Sequence, residues 1–193
     1  MLSEKLKNYK LVLASGSPRR QQFFRDLNLD FEIRLKEVEE IYPENLKASE
    51  VTDFLARLKA DAFELSENEI LVTSDTIVWL DEKVLGKPKN YEDAFVILKK
   101  LSGTTHQVIT SVCLKSSEKT RVFNVITKVT FSELSDGMIR FYLDNYKPFD
   151  KAGAYGIQEW IGLVGIEKIE GSYTNVVGLP TEKFYKELLC FIK

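Results

Sequence analysis

Leu11-Val-Leu-Ala-Ser-Gly-Ser-Pro-Arg-Arg20 reads as a short apolar strand, a tight turn and the first turn of a helix. Leu11, Val12 and Leu13 form a continuous apolar run of the buried-strand type, and Ser15-Gly16-Ser17 interrupts it with residues that permit an unusual backbone turn. Ser17 is suited to cap a helix and Pro18 to its first position, while Phe23, Phe24 and Leu27 follow at helical spacing. A helix start of this kind turns unbonded N–H groups and the positive end of a dipole toward an anion. Arg19 and Arg20 add two bidentate donors at the same point, a crowding of charge that phosphate would relieve. Taken alone, the stretch also describes a capped helix with two solvated arginines.

Outward from this stretch, strand-like and helical segments alternate. Phe31-Glu-Ile-Arg-Leu35 alternates like a half-buried strand, and the acidic run Glu37-Val-Glu-Glu40 follows, either as a solvated loop or as a means of delivering Glu40 to a metal. Residues 48–66 form a long helix with Val51, Phe54, Leu55, Leu58, Ala62 and Leu65 on one face and Lys59 beside it, by itself a surface lysine. Residues 70–80 make a very apolar strand interrupted by Ser74-Asp75-Thr76. Aspartate is disfavoured in strands and costly to bury, so Asp75 is read as a catalytic or metal-binding carboxylate, the alternative being a bulge bonded to backbone. Asp81-Glu82 is a hairpin turn, after which Gly86 and Pro88 shape a loop able to present Lys87 to a phosphate.

The second half adds a helix over 91–101 stopped at Ser102-Gly103, and a hairpin of residues 105–115 and 120–131. His106 is expected as a hydrogen-bonded strand residue. A helix over 135–145 precedes Asp150-Lys-Ala-Gly-Ala-Tyr-Gly-Ile-Gln158, where Gly153 and Gly156 allow close backbone approach and Tyr155 and Gln158 offer stacking and hydrogen bonds. A short strand over 166–169, a loop over 171–175 and a closing helix from Pro180 to Ile192 complete the chain. With no repeat, low-complexity tract or linker, residues 1–193 read as a single domain, a mixed sheet with helices packed on it.

The 193 residues suffice for a sizeable core. A formal charge of -2 argues against a nucleic-acid binder, which would need a broad basic face. No apolar run approaches a membrane span and residues 1–9 lack a signal region, so the expected compartment is the cytoplasm. Cys113 and Cys190, far apart and flanked by apolar residues, are expected as buried free thiols. The single histidine excludes a multi-histidine zinc site. Any metal would be held by carboxylates and phosphate oxygens, which suits magnesium or manganese.

Six ordered blocks carry a family resemblance: Leu13-Ala-Ser-Gly-Ser-Pro-Arg-Arg20, Ser74-Asp-Thr-Ile-Val78, Gly86-Lys-Pro88, Gly103-Thr-Thr-His-Gln-Val108, Asp150 to Gln158, and Gly178-Leu-Pro180. On these the sequence resembles, nearly end to end, the Maf family of nucleoside triphosphate pyrophosphatases, once described as septum-formation proteins. The resemblance implies an α/β fold of two lobes on an elongated mixed β-sheet flanked by helices with a central cleft, similar to inosine-triphosphate pyrophosphatases. It implies hydrolysis of a nucleoside triphosphate between the α and β phosphates with a divalent metal cation. By motif position, Ser15, Ser17, Arg19 and Arg20 bind the phosphates, Lys59 and Lys87 neutralise them, and Arg19 also tunes substrate choice. Glu40 and Asp75 fall where the family keeps its metal-associated acid and its proton acceptor.

Thr76 and Gln158 match the branch that prefers dTTP and UTP. Two departures stand out: Ser74 replaces a small alanine or glycine, and Glu159-Trp160 follows Gln158 where many members have small residues, which bears on the base pocket. A pool-sanitising enzyme for modified nucleotides is the alternative within the same chemistry, and a nucleotide-binding regulator of cell division the alternative outside it. The partners expected are the nucleotide substrate and, from the family, a second copy in a homodimer, with no nucleic acid and no membrane.

Overall fold

The apolar run of the opening stretch becomes β1 (Lys10–Leu13), whose last three residues are buried. The computed structural model describes residues 2–192. β1 lies between two parallel neighbours, β2 (Glu32–Ile33) and β3 (Glu69–Leu80), with Leu11 opposite Ile70 and Leu13 opposite both Val72 and Ile33. A strand paired on both edges and covered on both faces must be apolar throughout, which is why the pattern here is continuous rather than alternating. β4 (Lys83–Leu85) returns antiparallel on β3 through Asp81 and Glu82, both at positive φ (48° and 58°). That backbone has the handedness a two-residue hairpin requires. With β5 (Thr105–Lys115), β6 (Thr120–Phe131) and β7 (Ile166–Glu170), seven strands form one sheet among the described residues, in the order β2-β1-β3-β5-β6-β7 with β4 on β3.

The helices flank this mixed sheet: α1 (Leu2–Lys5), α2 (Pro18–Asp26), α3 (Ser49–Asp61), α4 (Tyr91–Leu101) and α5 (Asp136–Tyr146). They are followed by α6 (Trp160–Gly165), α7 (Tyr173–Val177) and α8 (Thr181–Phe191). Side-chain caps start three of them, Ser17 on α2, Asn90 on α4 and Ser135 on α5. No helix of the described residues is long and apolar enough to cross a membrane.

Several expectations from sequence need correction. The strand over 31–35 shrinks to two residues, because as an edge strand it is paired on one side only, and Leu35 is 63% exposed. The helix over 48–66 ends at Asp61, and its buried face is Val51, Thr52, Leu55, Ala56 and Ala60, leaving Phe54 outside. The small residues set that face because the helix backbone approaches the sheet closely, with the Thr73 hydroxyl donating to the Ala56 carbonyl at 2.6 Å. Residues 171–175, expected as a loop, contribute to α7, and α6 was not expected. Cys113 is buried as expected but Cys190 is exposed, since α8 buries Phe184, Glu187, Leu188 and Phe191 on the opposite stripe.

The chain divides into two compact units. Unit 1 comprises the residues up to Asp75, Thr110–Val125 and those from Gly178 on; unit 2 comprises Thr76–Ile109 and Ile126–Val177. Unit 1 packs Leu11, Leu13, Phe24, Val72, Phe184 and Leu188 on one side of its strands and Val12, Ala56, Ala60, Leu71 and Cys113 on the other. Its edge is tied by Arg34, which reaches buried Glu69 at 2.6 Å and Glu32 at 3.3 Å and holds the Glu69 carboxyl down at about 2. Unit 2 packs Leu98, Leu101, Phe131, Tyr142, Leu143 and Ile161. There His106 is buried, stacks on Phe131 and shares a 2.8 Å hydrogen bond with the Tyr155 hydroxyl, while its Nδ1 has no partner among the described residues.

Burial lowers the His106 pKa from 6.5 to about 4. The unfolded chain therefore binds a proton below pH 6.5 that the folded chain refuses until about pH 4, so stability falls with pH across that window. Glu69, with its pKa depressed, contributes stability above about 4.5 that is lost as pH falls toward 2. Denaturant titrations from pH 8 to 3 should show a first loss between pH 6.5 and 4, on the order of 3 kcal/mol at most, that is absent in His106→Gln. Arg34→Ala should instead lower stability at neutral pH and flatten the profile below pH 4.5.

Candidate active site

In unit 1 the β1–α2 turn is built by its serines. The Ser15 hydroxyl accepts from the Ser17 amide at 3.3 Å and from Arg20 Nη1 at 3.4 Å, and Ser17 Oγ accepts from the Arg20 amide at 3.5 Å as the cap of α2. Gly16 is exposed, and Gln21 Nε2 donates to the Ser15 carbonyl at 3.2 Å. Arg20 reaches further, donating from Nε to the Gly178 carbonyl at 2.8 Å and from Nη1 to the Ser74 carbonyl at 3.0 Å. One guanidinium thus ties the turn to β3 and to the segment entering α8. Burial lowers its pKa, Asp75 raises it, neighbouring Arg19 lowers it and Glu40 raises it again. An arginine keeps its charge through such shifts.

Asp75 is 6% exposed and sits inside β3, in unbroken strand conformation. Its partner is Lys59, from the last turn of α3, whose ammonium donates to Asp75 Oδ1 at 2.7 Å and lies 3.0 Å from Glu40 Oε1. Lys59 is therefore not a solvated surface lysine. Its stem passes along the helix flank and its head bridges two carboxylates, one buried and one half-exposed on the loop before α3. Ser15, Ser17, Arg19, Arg20, Glu40, Lys59 and Asp75 all belong to unit 1. Ser74 is buried with no partner for its hydroxyl among the described residues.

Among the described residues no group of three or more His, Cys, Asp and Glu could cage a metal. Two carboxylates converging on one cationic point are nonetheless the donor set that magnesium takes when substrate phosphates supply the remaining oxygens.

In unit 2, Thr76 is half-buried on β3, Lys87 is exposed in the loop after β4, and Gln158 is exposed at the end of the glycine-bearing segment. Three stretches meet here. The Gly153 amide donates to the Gly86 carbonyl at 3.0 Å, and at φ +69° its Cα faces Val78 so closely that a Cβ would lie 2.7 Å from Val78 Cγ2. The β3 strand after Asp75, the Lys87 loop and the Gln158 segment are thereby locked to one another. Sequence reasoning assigned nothing to Tyr142 or Lys151, whose side chains contact Glu159. It gave no role to Gly178 either, though its place in a recognised block was a signal.

The Maf-like protein family model matches residues 10–191. The chain belongs to this family. It is 66% identical over 191 residues to the dTTP/UTP pyrophosphatase of Flavobacterium psychrophilum, covering 98% of each chain. It is also 66% identical over 194 residues to the dTTP/UTP pyrophosphatase of Flavobacterium johnsoniae, covering the whole of both. Among solved structures, a nucleoside-triphosphatase / dITP/XTP pyrophosphatase from Mycobacterium abscessus aligns over 92% of each chain with 14% identity and a TM-score of 0.47.

Removing Lys59 should leave the Asp75 carboxylate buried without its nearest counter-charge. Lys59→Ala is expected to cost about 3 kcal/mol in urea unfolding, whereas Asp75→Asn, which keeps an oxygen for Lys59, should cost no more than about half that. Equal losses for the two variants would refute the pairing.

Proposed function

We propose that the chain hydrolyses dTTP and UTP between the α and β phosphates, giving the nucleoside monophosphate and pyrophosphate. The observation that carries this reading is 66% identity along the full chain to relatives named for that activity. The convergence of Arg20, Lys59, Glu40 and Asp75 in unit 1 supports it. Triphosphate hydrolysis demands little covalent chemistry from a protein; it demands placement of water against a phosphorus that its own negative charge shields. In this proposal the Ser15 to Arg20 turn and Lys87 receive the phosphates. Asp75 serves as the carboxylate that takes a proton from the attacking water or, with Glu40, holds a divalent cation, magnesium or manganese. That cation, when bound, supplies charge neutralisation of the phosphate oxygens and orients water. Lys59 Nζ fixes the Asp75 carboxylate in either role, and Thr76 and Gln158 select the base.

Purified protein with magnesium should release pyrophosphate and monophosphate together from dTTP and UTP, at least about tenfold faster than from the purine nucleotides. Orthophosphate with a diphosphate would refute cleavage at the inner bond. Asp75→Asn should lower kcat by roughly 100-fold or more while nucleotide binding persists, and wild-type turnover in that variant would remove Asp75 from the mechanism.

A further inference from the structure

Within unit 2, Gln158 stands on a turn held from several directions. The Glu159 amide closes it by donating to the Gly156 carbonyl at 3.0 Å. The Gly156 amide donates to the Tyr142 hydroxyl at 3.0 Å, and that hydroxyl donates to the Glu159 carboxylate. Glu159 Oε1 also lies 3.2 Å from the ammonium of Lys151, which is 9% exposed. A side chain on Gly156 would meet the Glu159 carboxylate at 2.8 to 3.0 Å and displace it from this arrangement, and one on Gly162 would lie 1.8 Å from the Ile157 carbonyl, so Gly162 is not replaceable without moving the turn. Tyr142 is wholly buried; burial and the Glu159 carboxylate hold its proton in place as the donor. Gln158 itself is exposed at the apex.

We propose that Glu159 is a positioning residue for base selection: through Tyr142 and the Gly156 amide it fixes the turn that presents Gln158 to the base. The inference rests on the reading of Gln158 as a base contact. A glutamine amide offers one donor and one acceptor, the complement of the adjacent carbonyl and N3–H that thymine and uracil share. Such a contact discriminates only when its mount holds it within about half an ångström. A carboxylate at position 159 supplies the hold through a charge and a hydroxyl, which a small residue at that position could not.

The test is a double-mutant cycle in the full chain, with kcat and KM for dTTP, UTP and dCTP measured for wild type, Glu159→Gln, Gln158→Ala and the double variant. Glu159→Gln keeps the shape and removes the charge. It should lower the ratio of kcat/KM for dTTP over dCTP by about tenfold, mainly through KM, and should have no further effect on that ratio in the Gln158→Ala background. Tyr142→Phe should reproduce the loss. An unchanged ratio in Glu159→Gln, or the same loss with and without Gln158, overturns the inference. Thermal unfolding accompanies each variant; if Glu159→Gln does not fold, Tyr142→Phe takes its place in the cycle, and failure of both to fold overturns the inference by making the cluster purely structural. Absence of a dTTP and UTP preference in the wild type would instead refute the functional reading itself, before any variant is compared.

Discussion

A carboxylate buried in the middle of a strand has to be compensated, and the Lys59–Asp75 pair is how this chain does it. An isolated ionised carboxylate in such a setting would cost several kcal/mol, so the cation must come close and stay close. Lys59 achieves this from α3, and α3 can deliver it because Ala56 and Ala60 let the helix backbone settle against β3, where the Thr73 hydroxyl donates to the Ala56 carbonyl. Larger residues on that stripe would lift the helix and carry the ammonium away from Oδ1. The placement of the Asp75 carboxylate and its counter-charge is therefore coupled to small side chains on α3.

Arg20 shows a second form of the same economy. A guanidinium at a phosphate turn is expected to face its anion, yet Nε and Nη1 are engaged with the Gly178 and Ser74 carbonyls and with Ser15 Oγ. The planar fork lets one residue hold three acceptors at once, since its donors point in fixed, separate directions, which a lysine could not match. The Ser74 carbonyl precedes Asp75 directly, so Arg20 sets the backbone that aims the carboxylate. A substitution at Arg20 would disturb the turn, the strand and the acid together.

Much of this was legible in the sequence because it is local. The strand–turn–helix at residues 11–26, the Asp81-Glu82 hairpin and the cap at Ser17 each follow from a few neighbouring residues, and α4 appears with the bounds its periodicity and stop signal indicate. What escaped depends on partners distant in sequence. Lys59 looks like any flanking lysine until Asp75 is placed beside it, and Tyr142 looks like a core tyrosine until Gly156 and Glu159 close on its hydroxyl. The buried face of α3 was misread because hydrophobicity favours Phe54 and Leu65, whereas close packing favours alanine. Cys190 was misread because flanking apolar residues do not determine which stripe of a helix is inward.

An overall charge of -2 is no obstacle to holding a polyanion. At physiological ionic strength charges farther than about 8 Å are largely screened, so only the near groups count. In unit 1 these are Arg19, Arg20 and Lys59 against Glu40 and Asp75, and the ammonium of Lys59 is already shared by both carboxylates. Little positive excess is then left for a triphosphate, whose charge is far larger. The carboxylates that would position water also repel the substrate that water must attack. A divalent cation held by Glu40 and Asp75 would relieve that conflict by making ligands of the two acids, and this is the physical ground on which the proposed function includes a metal.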